Sequence, residues 1–240
     1  MIVQSKGIVL HKTRFSEDSV IVKIYTEQCG TVSFIVKNAF SGKSKKKQAY
    51  FSPLALLELN FHYKEDNSLH YIKDLSCPRP YLSIPYDMVK NSLLIFYNEL
   101  LYKLLREAGE DRRLFACIER ELLSLEECET PRPDAHILFL LSLAKVIGLC
   151  PIDNYTDERC LFSCEDFCFV LPIGRLGEME KSAGRYLHDL LAASRPESVA
   201  CPPKSVRDEL LQCLLHYFEL HNEQVHDIHS VEILAQILGK

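Results

Sequence analysis

The stretch SVIVKIYTEQCGTVSFIVK, residues Ser19–Lys37, decides the fold, because it contains two alternating segments joined by a short turn. In the first segment, SVIVKIYT, the apolar side chains at positions 20, 22 and 24 share one face, and Lys23 and Tyr25 share the other. The second segment, TVSFIVK, alternates in the same way and ends with Lys37 on its outer face. A period of two is typical of a half-buried strand, and Gly30 suits the turn. We predict a β-hairpin whose outer face carries cations and an aromatic ring.

A lysine-rich run follows this hairpin directly. It reads SGKSKKK and occupies residues 41–47. Amines neutralise phosphates and a tyrosine ring stacks on a base, so the combination indicates binding to nucleic acid, single-stranded nucleic acid in particular. The alternative is that these lysines only keep the strands and a loop in solution. The candidate DNA-binding residues are Lys12, Arg14, Lys23, Tyr25, Lys37, Lys43, Lys45, Lys46 and Lys47.

Three further segments before residue 80 have the character of strands. The first is predicted at residues 1–11, the fourth at residues 54–61 after Pro53, and the fifth at residues 68–75. Five strands with a long insertion between the third and the fourth indicate a small closed barrel of the OB type. An SH3-like barrel is the alternative, since strand counting does not separate the two. Prolines at positions 78, 80 and 85 end the sheet.

After Pro85 the period of the apolar residues changes to 3.6, which is typical of helices. Helices are predicted at residues 86–108, 111–125, 134–147, 178–193, 205–220 and 230–238, and Asp134 is expected to cap the third. The predicted fold class is therefore α+β. A five-stranded OB-type barrel in residues 1–80 precedes an all-α domain in residues 81–240, which has an irregular, cysteine-containing segment at about residues 149–177.

Charge is distributed unevenly between these two parts. Residues 1–80 hold 12 basic and 7 acidic side chains, whereas the remaining 160 residues hold 16 basic and 26 acidic ones. The N-terminal part is therefore the one that we expect to face a polyanion. The sequence has no signal peptide and no apolar run of bilayer length, which predicts a cytoplasmic protein without a membrane partner. In that compartment its ten cysteines are expected to be free thiols.

Other motifs give no support for an enzyme or a bound cofactor. Gly42-Lys43-Ser44 imitates the end of a phosphate-binding loop, but Lys37 stands where the first glycine of that motif belongs. Four histidines near the C-terminus have spacings typical of surface positions. No catalytic constellation of nucleophile, acid and base is recognisable, so we expect a protein without catalytic residues.

The central cysteines are the best candidates for a metal site. They are Cys150, Cys160, Cys164 and Cys168. Structural zinc sites commonly place two residues between the cysteines of a close pair, whereas three residues separate Cys160 from Cys164 and Cys164 from Cys168. Buried thiols in a strand explain the pattern at least as well. We therefore predict no metal, with these four as the ligand set if one is present.

Three stretches, in order along the chain, carry a resemblance to a known family. They are GIVLHKTRFSEDSVIVKIYTEQCGTVSFIVKNA at Gly7–Ala39, LFLLSLAKVIGLCPID at Leu138–Asp153 and LLHYFELHNEQVHDIHSVEIL at Leu214–Leu234. Together they resemble the RecO family of bacterial recombination mediators. The chain departs from that family at Asn38, where glycine is usual, and it lacks the two CxxC pairs that some members carry.

The resemblance implies an N-terminal OB domain joined to a helical domain, and work without catalysis. It implies binding to single- and double-stranded DNA and annealing of complementary strands. It also implies association with RecR and contact with the C-terminal tail of single-strand-binding protein. Together with RecR, such a protein helps to load RecA on DNA that is coated with single-strand-binding protein. The residues themselves leave two other classes open. One is a module that binds only proteins, and the other is a zinc- or redox-responsive regulator built on the central cysteines.

Overall fold

The structure is a computed structural model of the chain, and it describes residues 1–37, 50–64, 67–172 and 179–238. The chain forms two compact units. The first comprises Met1–Glu129 and His229–Ile237, and the second comprises Thr130–Ile228 and Leu238–Lys240. The first unit thus contains the strands of the N-terminal part together with helices that follow them. The predicted domain boundary after residue 80 stays a prediction.

Five strands form one antiparallel sheet in the first unit, as the alternation predicts. They are β1 (Ile2–Arg14), β2 (Val20–Thr26), β3 (Gly30–Val36), β4 (Leu56–His62) and β5 (Ile72–Ser76). Their order in the sheet is β3-β2-β1-β4-β5. The apolar faces of β2 and β3 point inward, and Val22, Ile24 and Phe34 are fully buried in the core. Burial of each side chain of this size contributes about 1.5–3 kcal/mol.

The two ends of this sheet meet at His70, just before β5. The Ile35 N–H donates to the carbonyl oxygen of His70, and the His70 N–H donates to the carbonyl oxygen of Ser33, each over 2.9 Å. This bridge aligns Phe34 with His70 in parallel. A sheet in which the third strand pairs with the approach to the fifth is a closed barrel. The predicted OB-type barrel is therefore confirmed.

The helices fall where the period of 3.6 predicts them. Among the described residues they are α1 (Met88–Leu104), α2 (Arg112–Glu127), α3 (Ala135–Ile147), α4 (Lys181–Ala192), α5 (Lys204–His221) and α6 (Ser230–Ile237). Asp87 and Asp111 cap α1 and α2 by accepting hydrogen bonds from two backbone N–H groups each. None of the described helices is long and apolar enough to cross a membrane.

The second unit contains α3, α4 and α5 together with a short hairpin of β6 (Leu161–Ser163) and β7 (Cys168–Val170). Asp134 occupies the N-cap position of α3, but its side chain makes no capping hydrogen bond. Its fully buried carboxylate instead accepts two hydrogen bonds from Arg132, at 2.9 and 2.7 Å, and one from the Tyr186 hydroxyl. The predicted cap is wrong because a bidentate guanidinium pairs with a buried carboxylate more strongly than neutral N–H groups do.

Gly30, in the β2–β3 turn, packs against the backbone of Ala108 and Gly109, which lie between α1 and α2. Its φ is +67°, and a Cβ atom there would overlap the carbonyl oxygen of Ala108 and lie 2.5 Å from the carbonyl carbon of Gly109. Left-handed backbone alone destabilises a non-glycine residue by about 1–2 kcal/mol, and this collision with backbone adds to it. We predict that Gly30→Ala lowers the free energy of unfolding by more than that amount, measured by urea denaturation.

Gly148 supplies the matched control. Its φ is +79°, yet a Cβ atom added there would meet no other atom within 4 Å. Gly148→Ala should therefore show only the loss of about 1–2 kcal/mol that the backbone conformation imposes. Equal losses in the two variants would contradict the close approach of the Gly30 turn to Ala108.

Candidate nucleic-acid interface

The outer face of β2 and β3 carries two of the predicted cations. Lys23 lies between His11 of β1 and Ser33 of β3 in the register of the sheet. Lys37 follows Val36 at the end of β3, and because Val36 packs against the core, Lys37 points outward. The strand 2–3 face and the adjoining loops are where OB folds bind oligonucleotides. These two cations therefore lie on the expected side of the barrel.

Tyr71, an aromatic residue outside the predicted set, lies beside Lys37. The Lys37 Nζ atom is 5.5 Å from the centroid of the Tyr71 ring, which is within cation–π range. Tyr71 is 57% exposed, whereas the preceding His70 is buried against the core. The alternation of SLHYIKDL, with His70 and Ile72 inward, is the sequence signal that places Tyr71 outward. The structure thus brings a cation and an exposed ring together.

Tyr25, which the alternation places on the outer face as the ring that stacks on a base, is fully buried. Its hydroxyl donates to the carbonyl oxygen of Asp111 over 3.2 Å, and its ring centroid lies 5.9 Å from that of Phe115. Burial raises the pKa of this phenol far above its ordinary value. The expectation that Tyr25 stacks on a base is therefore wrong. The connection between α1 and α2 covers this end of the outer face, where the Thr31 hydroxyl also donates to the carbonyl oxygen of Leu105 over 2.6 Å.

Lys12 and Arg14 lie on the other side of β1 from the row that contains Lys23. Lys12 is paired with Val22 and Arg14 with Val20, whose side chains point into the barrel. Both cations are exposed at the end of the strand, and Arg14 Nε donates to the carbonyl oxygen of Ser16 over 3.3 Å. The described cations of the predicted set therefore form two groups on opposite faces of the sheet.

His11 contributes no cation to the outer face at neutral pH. Its ring stacks on Tyr102 of α1 with centroids 4.5 Å apart. Burial and the nearby Lys23 both lower the pKa of His11 below its ordinary value, so the ring is neutral at pH 7. Lys6 is likewise engaged, because its ammonium lies 2.9 Å from both carboxylate oxygens of Glu119. Among the described residues of β2 and β3 and of the residue that follows β3, the cations on this face are Lys23 and Lys37.

The lysine-rich run lies outside the described residues. It includes the predicted DNA-binding residues Lys43, Lys45, Lys46 and Lys47, and also the candidate phosphate-loop residues Gly42 and Ser44. In sequence this run begins a few residues after Lys37, the last described residue of its segment. Their role in binding stays a prediction.

Comparison with known proteins agrees with the geometry of the barrel. The family model described as Recombination protein O N terminal matches residues 1–81. The DNA repair protein RecO of Bacteroides fragilis is 38% identical over 250 residues, covering 99% of both chains. That of Phocaeicola vulgatus is 32% identical over 242 residues, covering 100% of both chains, and that of Flavobacterium psychrophilum is 29% identical with the same coverage. The chain belongs to the RecO family.

The central cysteines of this RecO-family chain, named above as the ligand set if a metal is present, take different positions in the structure. Cys164 forms a disulfide with Cys213 of α5, with Cα atoms 5.2 Å apart, so the expectation that all ten cysteines are free thiols is wrong for these two. Cys160 is buried and Cys150 is exposed. Within the ranges that the structure describes, no group of three or more His, Cys, Asp or Glu side chains is placed to hold a metal ion.

Packing explains why these two distant cysteines meet. The turn between β6 and β7 lies against α5, where the rings of Phe167 and Tyr217 stack with centroids 3.4 Å apart. This contact brings Cys164 and Cys213, 49 residues apart in sequence, within the range of Cα separations that a disulfide requires. Neither spacing nor periodicity in the sequence reveals such a long-range contact.

The disulfide is open to direct chemical test. We predict that protein purified without reductant gives a peptide cross-linked through Cys164 and Cys213 in non-reducing mass spectrometry. The peptide should disappear after treatment with dithiothreitol and in the Cys213→Ser variant. A cross-link from Cys164 to any other cysteine in the wild-type chain would contradict the assignment.

Because Tyr25 is buried, we predict that substitutions at this position lower the stability of the protein without weakening its binding to DNA. Tyr25→Leu should lower the free energy of unfolding by about 2 kcal/mol or more, because a truncated buried ring leaves a cavity. Tyr25→Phe should lose only the hydrogen bond, about 0.5–1.5 kcal/mol. Both variants, assayed well below their unfolding temperatures, should bind single-stranded DNA as the wild type does. Weakened binding by folded Tyr25→Leu would restore Tyr25 to the interface.

Proposed function

We propose that this protein is a cytoplasmic, non-enzymatic mediator of DNA repair and recombination that binds single- and double-stranded DNA and anneals complementary strands. Membership of the RecO family supports the repair role. The observation that carries the proposal is the outer face of β2 and β3, where Lys37 lies beside the exposed ring of Tyr71 and Lys23 projects from the same face. Cations and a ring on an open barrel face suit a nucleic acid better than they suit a protein-only partner.

The proposed binding to DNA is electrostatic and independent of base sequence. Lys23 and Lys37, and the lysines at positions 43, 45, 46 and 47, would neutralise phosphates. Phosphate contacts orient a strand and leave the pairing edges of its bases free. A protein that anneals complementary strands needs this arrangement, because bases that are held by their hydrogen-bonding edges cannot pair with a second strand.

Protein partners follow from the family resemblance. We propose that the protein acts with RecR, contacts the C-terminal tail of single-strand-binding protein and helps to load RecA. The residues after position 80 carry an excess of acidic side chains, 26 against 16 basic ones, so they are unsuited to DNA and suited to protein contacts. An acidic tail would require a local basic patch on that part of the chain.

The four lysines of the run provide the decisive test. We predict that changing Lys43, Lys45, Lys46 and Lys47 together to Ala weakens binding to single-stranded DNA and flattens its dependence on salt. If all four contact phosphates, the slope of log K against log[salt] should fall by roughly 3, since each contact to a single strand contributes about 0.7. Fluorescence anisotropy across a salt series measures both quantities, and annealing of complementary oligonucleotides should slow in parallel.

A control variant removes the same number of charges elsewhere. The exposed cations for it, none of them in the proposed interface, are Arg106, Lys145, Lys181 and Arg195. Changing these four to Ala should leave the salt slope unchanged, although the net charge changes by the same amount. If both variants behave alike, or if the four-lysine variant keeps the wild-type slope, the lysine-rich run is not a DNA contact.

A further inference from the structure

We propose that Tyr71 is the base-stacking residue of this interface and gives it a preference for single-stranded over double-stranded nucleic acid. This inference rests on the proposed function, because it assigns a role within the same binding surface. One unpaired base would lie against the phenol ring of Tyr71, and the ammonium of Lys37 would hold a neighbouring phosphate.

The backbone at Tyr71 is fixed by the closure of the barrel. The preceding residue, His70, exchanges two 2.9 Å hydrogen bonds with β3, one to Ser33 and one from Ile35. Its buried ring also stacks on Tyr63, with centroids 5.2 Å apart. Tyr71 is therefore presented from an anchored position, and a stacking ring that is held in place loses little conformational entropy when a ligand binds.

The surroundings of the ring combine an apolar floor with a cation. The bridge between Phe34 and His70 is parallel, so half-buried Ile35 lies next to Tyr71 in register on the outer face. Half-buried Ile21 is paired with Ile35 across β2 and β3. Lys37, two residues further along, reaches to 5.5 Å from the centroid of the Tyr71 ring. This surface therefore matches both parts of a nucleotide. Its apolar side chains suit the face of a base, and its ammonium group suits the phosphate.

The form of the nucleic acid decides whether Tyr71 can contribute. In a duplex, each base is stacked between its neighbours and offers no free face, whereas an unpaired base can leave the stack at low cost. Cations bind the phosphates of both forms. Loss of the ring should therefore weaken binding to a single strand by about 5- to 150-fold, the range that alanine substitutions of stacking residues give, and leave duplex binding nearly unchanged.

Two substitutions at Tyr71 and one elsewhere form the experiment. Tyr71→Leu removes the ring and keeps an apolar side chain, whereas Tyr71→Phe keeps the ring. Tyr86→Leu is the matched control, because Tyr86 is 90% exposed and lies outside the strand 2–3 face. The full chain is titrated onto a fluorescein-labelled oligothymidylate and onto a hairpin duplex of equal charge, at the same salt concentration.

The expected result is selective. Tyr71→Leu should lose about 5- to 150-fold in affinity for the single strand and change duplex affinity by less than about twofold, while Tyr71→Phe and Tyr86→Leu match the wild type. A 2-aminopurine placed in the single strand should be quenched more in the wild-type complex than in that of Tyr71→Leu. Equal losses for both DNA forms, or no loss for either, would overturn the assignment of Tyr71.

The outcomes also separate this inference from the proposed function. If the four-lysine variant loses its salt dependence but Tyr71→Leu keeps the wild-type ratio of single-strand to duplex affinity, the interface stands and Tyr71 is not its stacking residue. If neither DNA form binds the wild-type protein, the proposed function itself fails. If Tyr71→Leu does not fold, wild type and Tyr71→Phe are compared by 2-aminopurine quenching, and absence of quenching in both overturns the inference.

Discussion

The pairing of β3 with His70 is the constraint on which the rest of the first unit depends. Two backbone hydrogen bonds there join the two ends of the five-stranded sheet and close it into a barrel. The same bridge fixes the alternation on both sides, because burial of Phe34 and His70 forces Ile35 and Tyr71 outward. Closure of the fold and composition of the candidate surface therefore have one cause.

The outer face of β2 and β3 is divided between packing and exposure. Toward the Gly30 turn, the connection between α1 and α2 covers the sheet, buries Tyr25 and accepts a hydrogen bond from Thr31. Toward the end of β3, the side chains of Lys37 and Tyr71 remain exposed. Helix packing thus restricts the face available to a ligand to the part that carries Lys37 and Tyr71.

The elements of this fold could be predicted from local pattern, and the contacts between them could not. A period of two or 3.6 identifies the five strands of the barrel and the six helices, because it records which face of an element is buried. The short β6 and β7 hairpin lies in the segment that the sequence marks only as irregular. Tyr25 in β2 and Tyr71 just before β5 both alternate with buried neighbours, yet Tyr25 is covered by a segment about eighty residues later in the chain. The pairing of Cys164 with Cys213 and that of Asp134 with Arg132 and Tyr186 likewise depend on tertiary packing. Periodicity reports that a side chain faces away from one core, but it carries no information on what covers that side chain.

Annealing places opposite demands on a binding surface, since the strand must be held firmly and its bases must remain free to pair. In the proposed mode both demands are met by the parts of the nucleotide that pairing does not use. Lys23 and Lys37 contact the backbone, and Tyr71 contacts the flat face of a base and leaves the hydrogen-bonding edge open. Once a complementary strand pairs, the base returns to a stack and its contact with Tyr71 is lost. The product then binds more weakly than the substrate, which favours release of the duplex after annealing.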